Sequence, residues 1–146
     1  MKHALHLLAI SWPYIAAVVA IAAAVVGIWY VRRRPKSMNT EQFQIDWKEL
    51  QKLCRDKAKW PEAVVAADTL LDSALRKRKF RGRTMGARMV KAQRLFNDND
   101  SVWSAHKLRN KIDADPTLKL KEAEVKQALI GIRQALKDLG ALPNGQ

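Results

Sequence analysis

The feature that most constrains this chain is an uninterrupted apolar segment from Tyr14 to Val31, followed at once by Arg32-Arg33-Arg34-Pro35-Lys36. As a helix, the stretch from Trp12 to Trp29 would rise roughly 26 Å, close to the hydrocarbon thickness of a bilayer. Aromatic residues at both ends and a basic flank are typical of a stop-transfer segment. We therefore predict a transmembrane helix rather than a signal peptide cleaved near Ala24.

The distribution of basic residues around this segment predicts an orientation. Lys2 and the amino terminus stand on one side and four basic residues on the other, so the C-terminal part is expected in the cytoplasm. The expected location is the inner (cytoplasmic) membrane of a bacterium, with the N-terminus outside. Residues 1–36 would form the anchor and 37–146 a cytoplasmic domain. Small residues four apart, such as Ala16 and Ala20, leave homodimerisation through the anchor open.

The charge balance of the chain points to anionic partners. The sequence contains 27 Lys and Arg against 14 Asp and Glu, a formal net charge of +13. Such a chain attracts nucleic acid, an anionic lipid surface or an acidic protein surface, and net charge does not choose among them. The one cysteine, Cys54, excludes an intramolecular disulfide and is expected to be packed in a helix interface.

The hydrophobic pattern after residue 36 predicts an all-α fold, a compact bundle of four to five helices behind the transmembrane helix. Apolar residues recur at helical spacing in each segment. The clearest series are Phe43, Trp47 and Leu50; Val64, Ala67 and Leu71; Met85, Met89 and Ala92; and Val125, Leu129, Ile132 and Leu136.

Residues with known capping preferences predict where these helices begin and end. Thr40 and Thr84 are expected to cap the first and third helices of the bundle, and Asp100 or Ser101 the fourth. Pro61 suits the first turn of the second helix. Gly140 is expected to terminate the last helix.

The stretch from Ser73 to Asn97 is rich in basic residues and contains no acidic residue. It predicts a phosphate-binding surface, since each neutralised phosphate releases counterions. The alternatives are a solvated helix end and a surface lying against anionic lipid. Only Phe80 interrupts the basic run, so the aromatic residues of base-stacking surfaces are largely missing. The candidate anion-binding residues are Arg76, Lys77, Arg78, Lys79, Arg81 and Arg83.

A second local pattern lies in the predicted fourth helix, where Arg109 is followed by Asn110. Together with the preceding helix segment 67–72, this pair resembles the higher eukaryotes and prokaryotes nucleotide-binding (HEPN) family. The resemblance covers roughly residues 60–140 and implies a helical bundle that often dimerises. In active members an arginine, the polar residue after it and a later histidine cleave RNA.

The chain departs from that family at the histidine, because the corresponding places hold Ala114, Asp115 and Pro116. RNA cleavage without a metal needs a proton donor and acceptor near neutral pH, a role that suits histidine. His106 precedes Arg109, the reverse of the family order. The resemblance therefore implies a degenerate, non-catalytic HEPN-like module.

Two carboxylates, Asp68 and Asp72, lie one helical turn apart and face the same way. No cluster of His, Cys or Glu completes a metal site around them, and no motif implies a cofactor. We expect them to form a polar network with His106 and arginines such as Arg109.

Three functional hypotheses follow from the sequence. The favoured one is a single-pass membrane protein that presents a basic, non-enzymatic module to a partner protein or an anionic ligand. The second is a HEPN-family ribonuclease with an altered active site. The third is a membrane tether for nucleic acid, whose binding would weaken steeply with added salt.

Overall fold

The computed structural model describes residues 14–28 and 38–144. The chain divides into two compact units, Met1–Pro35 and Lys36–Gln146. In the first unit the described residues form one helix, α1, at positions 14–28. The described residues of both units are helical or irregular, with no strand among them.

The predicted transmembrane helix is the main correction to the sequence analysis. Within the described ranges, no helix is both long enough and apolar enough to cross a membrane. The described residues of α1, 14–28, rise about 22 Å, which is short of a hydrocarbon core of about 30 Å. Trp12 and the basic flank from Arg32 to Lys36, on which the prediction also depended, lie outside the described residues. The orientation and location inferred from the charge asymmetry stay predictions.

The second unit is a helical bundle, which confirms that part of the prediction. Its five described α-helices are α2 (Thr40–Leu53), α3 (Trp60–Lys77), α4 (Met85–Ala92), α5 (Asn99–Ala114) and α6 (Glu122–Asp138). Short 3-10 turns at Lys57–Lys59 and Gln93–Leu95 precede α3 and follow α4.

Helix α3 is the centre of the bundle, because it contacts α2, α4, α5 and α6. Its apolar stripe, which includes Val64, Ala67 and Leu71, is completely buried. Helices α5 and α6 also pack extensively against each other. The core thus forms around one helix that is covered on several sides, as expected for short amphipathic helices that depend on packing for their stability.

The N-terminal cap is the predicted residue at one helix and lies one to three residues earlier than predicted at two others. Thr84 caps α4 by accepting a hydrogen bond from the amide of Ala87. Helix α2 is capped by Asn39 rather than Thr40, and α5 by Asp98 rather than Asp100 or Ser101. Each observed cap is a short polar residue one to three positions earlier, whose side chain reaches an amide of the first turn.

The cap of α5 also affects an ionisable group. Hydrogen bonds from the side chain and backbone of Ser101 lower the pKa of the Asp98 carboxyl below its ordinary value. The ionised form therefore predominates at neutral pH, where it also interacts favourably with the positive end of the helix dipole. Helix α6 ends as predicted at Gly140, whose φ of +72° lies in the left-handed region.

Helices α5 and α6 approach so closely at Gly131 that a side chain there has no room. A Cβ atom at this position would lie 2.9 Å from the backbone and Cβ of Ser101, at the start of α5. Next to it, the side-chain amide of Gln127 donates a hydrogen bond to Ser101 Oγ at 3.1 Å. Glycine at 131 thus sets the spacing of these two helices.

We expect Gly131→Ala to lower the free energy of unfolding by about 1–3 kcal/mol, because the backbones of α5 and α6 must separate. The measurement is urea denaturation followed by circular dichroism. The matched control is Gly86→Ala in α4, where the nearest atom to an added Cβ is 3.7 Å away on Trp103. Equal losses in the two variants would contradict the close approach.

Candidate functional site

The loop between α3 and α4 carries most of the candidate anion-binding residues. We call residues 78–83 the cationic loop. Arg81 and Arg83 are exposed in it, and neither takes part in an ion pair within the described residues. Lys79 adopts a φ of +61°, and the amide of Phe80 donates to the carbonyl of Leu75, which closes the end of α3.

A buried arginine from α4 fixes the shape of this loop. Arg88 is 5 % exposed and donates through Nη1 to the carbonyl of Gly82. Through Nε and Nη2 it binds Oδ1 of Asp72 on α3, at 2.7 and 2.6 Å. A Cβ at Gly82 would lie 2.9 Å from the Ala87 side chain and the Arg88 amide, so the loop backbone packs directly on α4. The cationic loop is thus held by the buried Arg88 side chain and by close backbone packing on α4.

Two of the candidate anion-binding residues at the end of α3 already have intramolecular partners. Arg76 is exposed and binds the second oxygen of Asp72 through Nε at 2.8 Å. The ammonium group of Lys77 lies 4.8 Å from the ring centre of Phe43, a cation–π contact with α2. Lys77 and Arg76 also complement the negative end of the α3 dipole. Both residues therefore have a structural role that does not require a ligand.

A second polar cluster lies between α3 and α5, around Asp68. This aspartate is 3 % exposed, and its Oδ1 lies 3.0 Å from Nδ1 of His106. Nε of Arg109 lies 3.7 Å from Oδ2, an ion pair slightly beyond hydrogen-bond distance. The structure therefore brings Asp68, His106 and Arg109 together.

The surroundings of this cluster restrict access to it. The Trp103 ring meets the His106 ring edge-on at 6.2 Å, and only 13 % of the His106 side chain is exposed. Arg109 binds Asp113 at 2.7 Å and donates to Asn110 Oδ1 at 3.3 Å. Asn110 itself is exposed on the surface of α5.

Asp68 and Asp72 belong to separate clusters, although they lie one turn apart. Asp68 contacts residues of α5, whereas Asp72 contacts Arg88 and Arg76. The positions corresponding to the family histidine lie at and beyond the end of α5. There Asp115 accepts hydrogen bonds from the side chain and backbone of Thr117, which lower its pKa. In the described part of the chain, no three His, Cys, Asp or Glu side chains are placed to hold a metal ion.

Arg88 is the important residue whose role the sequence analysis missed, because it was treated only as part of the basic stretch from Ser73 to Asn97. The spacing of apolar residues in the sequence nevertheless indicated that Arg88 is buried. Arg88 follows Met85 by three positions and precedes Ala92 by four, so it lies on the apolar face of α4. A single charge on such a face indicates a buried cation with a buried partner, since arginine is seldom buried unless it is paired.

Comparison with protein-family models, curated proteins and solved structures finds no match for this chain. The geometry of the described residues therefore carries the functional interpretation. It defines a helical bundle with a buried carboxylate, Asp68, and a partly buried one, Asp72, each paired with side chains from other elements, and an exposed cationic loop next to Asp72.

We expect Arg88→Ala to lower the free energy of unfolding by about 3 kcal/mol, because it leaves the largely buried Asp72 without its buried partner. Adding Asp72→Asn should recover part of that loss, since no uncompensated charge then remains. Urea denaturation of the two single variants and the double variant measures this coupling.

The control is Arg76→Ala, which removes the exposed partner of the same carboxylate. The Arg76 side chain is 66 % exposed, so its loss should cost less than about 1 kcal/mol. A loss in Arg76→Ala as large as that in Arg88→Ala would contradict the structural role assigned to Arg88.

Proposed function

We propose that the bundle is a non-catalytic binding module that presents the cationic loop to clustered phosphate groups. The observation that carries this proposal is the anchoring of the loop by Arg88, which binds Gly82 on the loop and Asp72 on α3. A loop held in place before binding loses less conformational entropy when a ligand binds. The expected partners are a nucleic-acid backbone or an anionic lipid surface.

The position of the loop cations supports a role in binding rather than in helix stability. The positive charges of Arg76 and Lys77 are explained by their contacts with Asp72 and Phe43 and by the dipole of α3. The effect of the dipole is limited to the last turn of the helix. Arg81 and Arg83 lie beyond that turn, exposed and without acidic neighbours in the sequence. Like charges held close together repel each other, and an anionic ligand relieves that repulsion.

The chemistry of the loop favours phosphate contacts over recognition of bases. Phe80 is the one aromatic residue in the loop, and it packs against the hydrophobic core. Stacking on bases requires exposed aromatic faces. Binding should therefore depend on ionic strength and hardly on nucleotide sequence.

We expect the full chain to bind labelled RNA or anionic vesicles with an affinity that falls with added salt. In Arg78→Gln/Arg81→Gln/Arg83→Gln, the slope of log K against log salt should fall by about two, as expected when three phosphate contacts to a single strand are lost. Titrations across a salt series measure this slope. RNA and vesicles are separate arms that distinguish the two phosphate sources.

The matched control is Lys107→Gln/Lys111→Gln/Lys119→Gln, which removes three exposed cations away from the loop. It changes the net charge by the same amount and should retain most of the binding. An equal loss in the two triple variants would show that net charge alone attracts the ligand, and would overturn the proposal.

A second candidate function, RNA cleavage, is favoured by the contact between Asp68 and His106. A carboxylate at Nδ1 fixes the histidine tautomer and leaves Nε2 as a base, and Arg109 is a cation on the same helix. We place it second because the His106 ring is largely buried and Arg109 is paired with Asp68 and Asp113. The resemblance to the HEPN family stays a prediction.

We expect RNA to stay intact when it is incubated with the full chain, as judged on denaturing gels. Cleavage that disappears in Arg109→Ala but persists in Lys111→Ala would replace the binding proposal with a ribonuclease. Lys111 lies two residues away on the same helix and is exposed, so that variant controls for preparation and charge. Cleavage that persists in both variants would indicate a contaminating nuclease.

A further inference from the structure

A groove of about 370 Å³ lies between α2 and α6, at the end of the bundle where α3 begins. Both helices pack against α3, which forms the middle layer between them. The apolar residues that line the groove are Trp47, Leu50, Trp60, Val125, Leu129 and Ile130. Its volume falls within the range of about 300–1,000 Å³ that is usual for small-molecule sites.

Trp47, which lines the groove, carries a hydrogen-bond donor that has no acceptor. Trp47 is 7 % exposed, and its indole Nε1 is buried without a partner among the described residues. Trp60, by contrast, donates from its indole to the carbonyl of Cys54 at 3.0 Å. A buried N–H of this kind is normally paired, so an acceptor bound beside Trp47 would satisfy it after a small rotation of the ring.

The face of α6 that lines the groove carries two cations, Lys126 and Arg133, with Glu122 one turn before Lys126. Lys126, Leu129, Ile130 and Arg133 follow the spacing of one helix face, and all four line the groove. Lys126 and Arg133 are exposed and form no ion pair within the described part of the chain, and they lie about 10 Å apart along the helix. Between them Ile130 remains 54 % exposed. Glu122 is the one acidic side chain of the lining.

We propose that this groove binds a small amphiphilic carboxylate, with its hydrocarbon chain against the apolar lining and its carboxylate paired with a cation of α6. The hydrocarbon chain would cover the exposed side of Ile130 and Leu129, which provides the apolar part of the affinity. Arg133 or Lys126 would supply a charge-assisted hydrogen bond to the carboxylate. The indole N–H of Trp47 would donate to the same head group. This site is separate from the cationic loop and does not depend on the proposed function.

Cys54 provides a direct reporter for the groove, because it lines the groove and is the one cysteine in the chain. Burial raises the pKa of the Cys54 thiol, so alkylation must be compared at one fixed pH. A ligand in the groove blocks access to the thiol. The rate of alkylation by iodoacetamide therefore measures occupancy.

The test uses the full chain with decanoate, decanol and decylamine, three probes with the same hydrocarbon chain and an anionic, neutral or cationic head group. At a decanoate concentration about ten times its Kd, alkylation should slow about tenfold, because only the unoccupied fraction reacts. Decanol should protect less at the same concentration, and decylamine least. Equal protection by all three probes would overturn the assignment of an anionic head group.

Variants locate the binding within the groove. Lys126→Gln/Arg133→Gln should weaken decanoate binding about tenfold or more, the effect of losing a hydrogen bond to a charged group. Lys111→Gln/Lys107→Gln, which removes two exposed cations from α5, is the control and should leave protection unchanged. An equal loss of protection in the two double variants would mean nonspecific attraction to a basic protein, and full protection in both would mean that Lys126 and Arg133 do not bind the carboxylate. Either result would overturn the proposal.

A further variant, Trp47→Phe, keeps an aromatic ring in place and removes the N–H donor together with part of the apolar surface of the indole. It should weaken decanoate binding more than decanol binding, since the lost apolar surface affects both probes and the lost donor serves the carboxylate. An identical affinity of the variant for decanoate would overturn the role given to Trp47. The thermal unfolding midpoint of each variant without ligand verifies that it is folded.

Discussion

A carboxylate that is removed from water needs a cation beside it, and α3 carries two such carboxylates one turn apart, the buried Asp68 and the Asp72 side chain, which is 16 % exposed. Asp68 takes its partners from α5, and Asp72 takes its buried partner from α4. Because α3 also contacts α2 and α6 through its apolar residues, the two charges fix which helix lies on which side of it. Apolar packing alone tolerates small rotations of a helix, whereas a buried ion pair has one geometry.

The same requirement explains why the cationic loop has a defined shape. Arg88 binds Asp72 through Nε and Nη2, and its Nη1 donates to the carbonyl of Gly82. The loop is therefore tied to the pair that orders α3 and α4. The buried Arg88 side chain thus takes part both in the ion pair that stabilises the bundle and in the contact that holds the loop proposed to bind ligand.

The helical segments of the bundle follow from hydrophobic spacing, and the sequence predicts α3 and α6 well because Pro61 and Gly140 mark their ends. Cap positions are less predictable where several short polar residues stand in a row, as at Asn97 to Ser101, since each can cap. The membrane anchor was predicted from a segment longer than the described helix α1.

The sites differ in how far the sequence could predict them. The grouping of Asp68 with His106 was expected because both lie on helix faces that a bundle brings together. The burial of Arg88 depends on the tertiary partner Asp72, sixteen residues away, and the groove depends on the gap between α2 and α6. Such features arise from the arrangement of helices, which periodicity within one segment does not specify.

The length of α3 has a consequence for the two proposed sites. Trp60, its first residue, lines the groove, and the cationic loop starts directly after its last residue, Lys77. An α-helix of this length keeps its ends about 25 Å apart, well beyond the range over which neighbouring substitutions interact. α3 thus serves as a rigid spacer, so that occupancy of the proposed groove site would leave the proposed phosphate-binding site free.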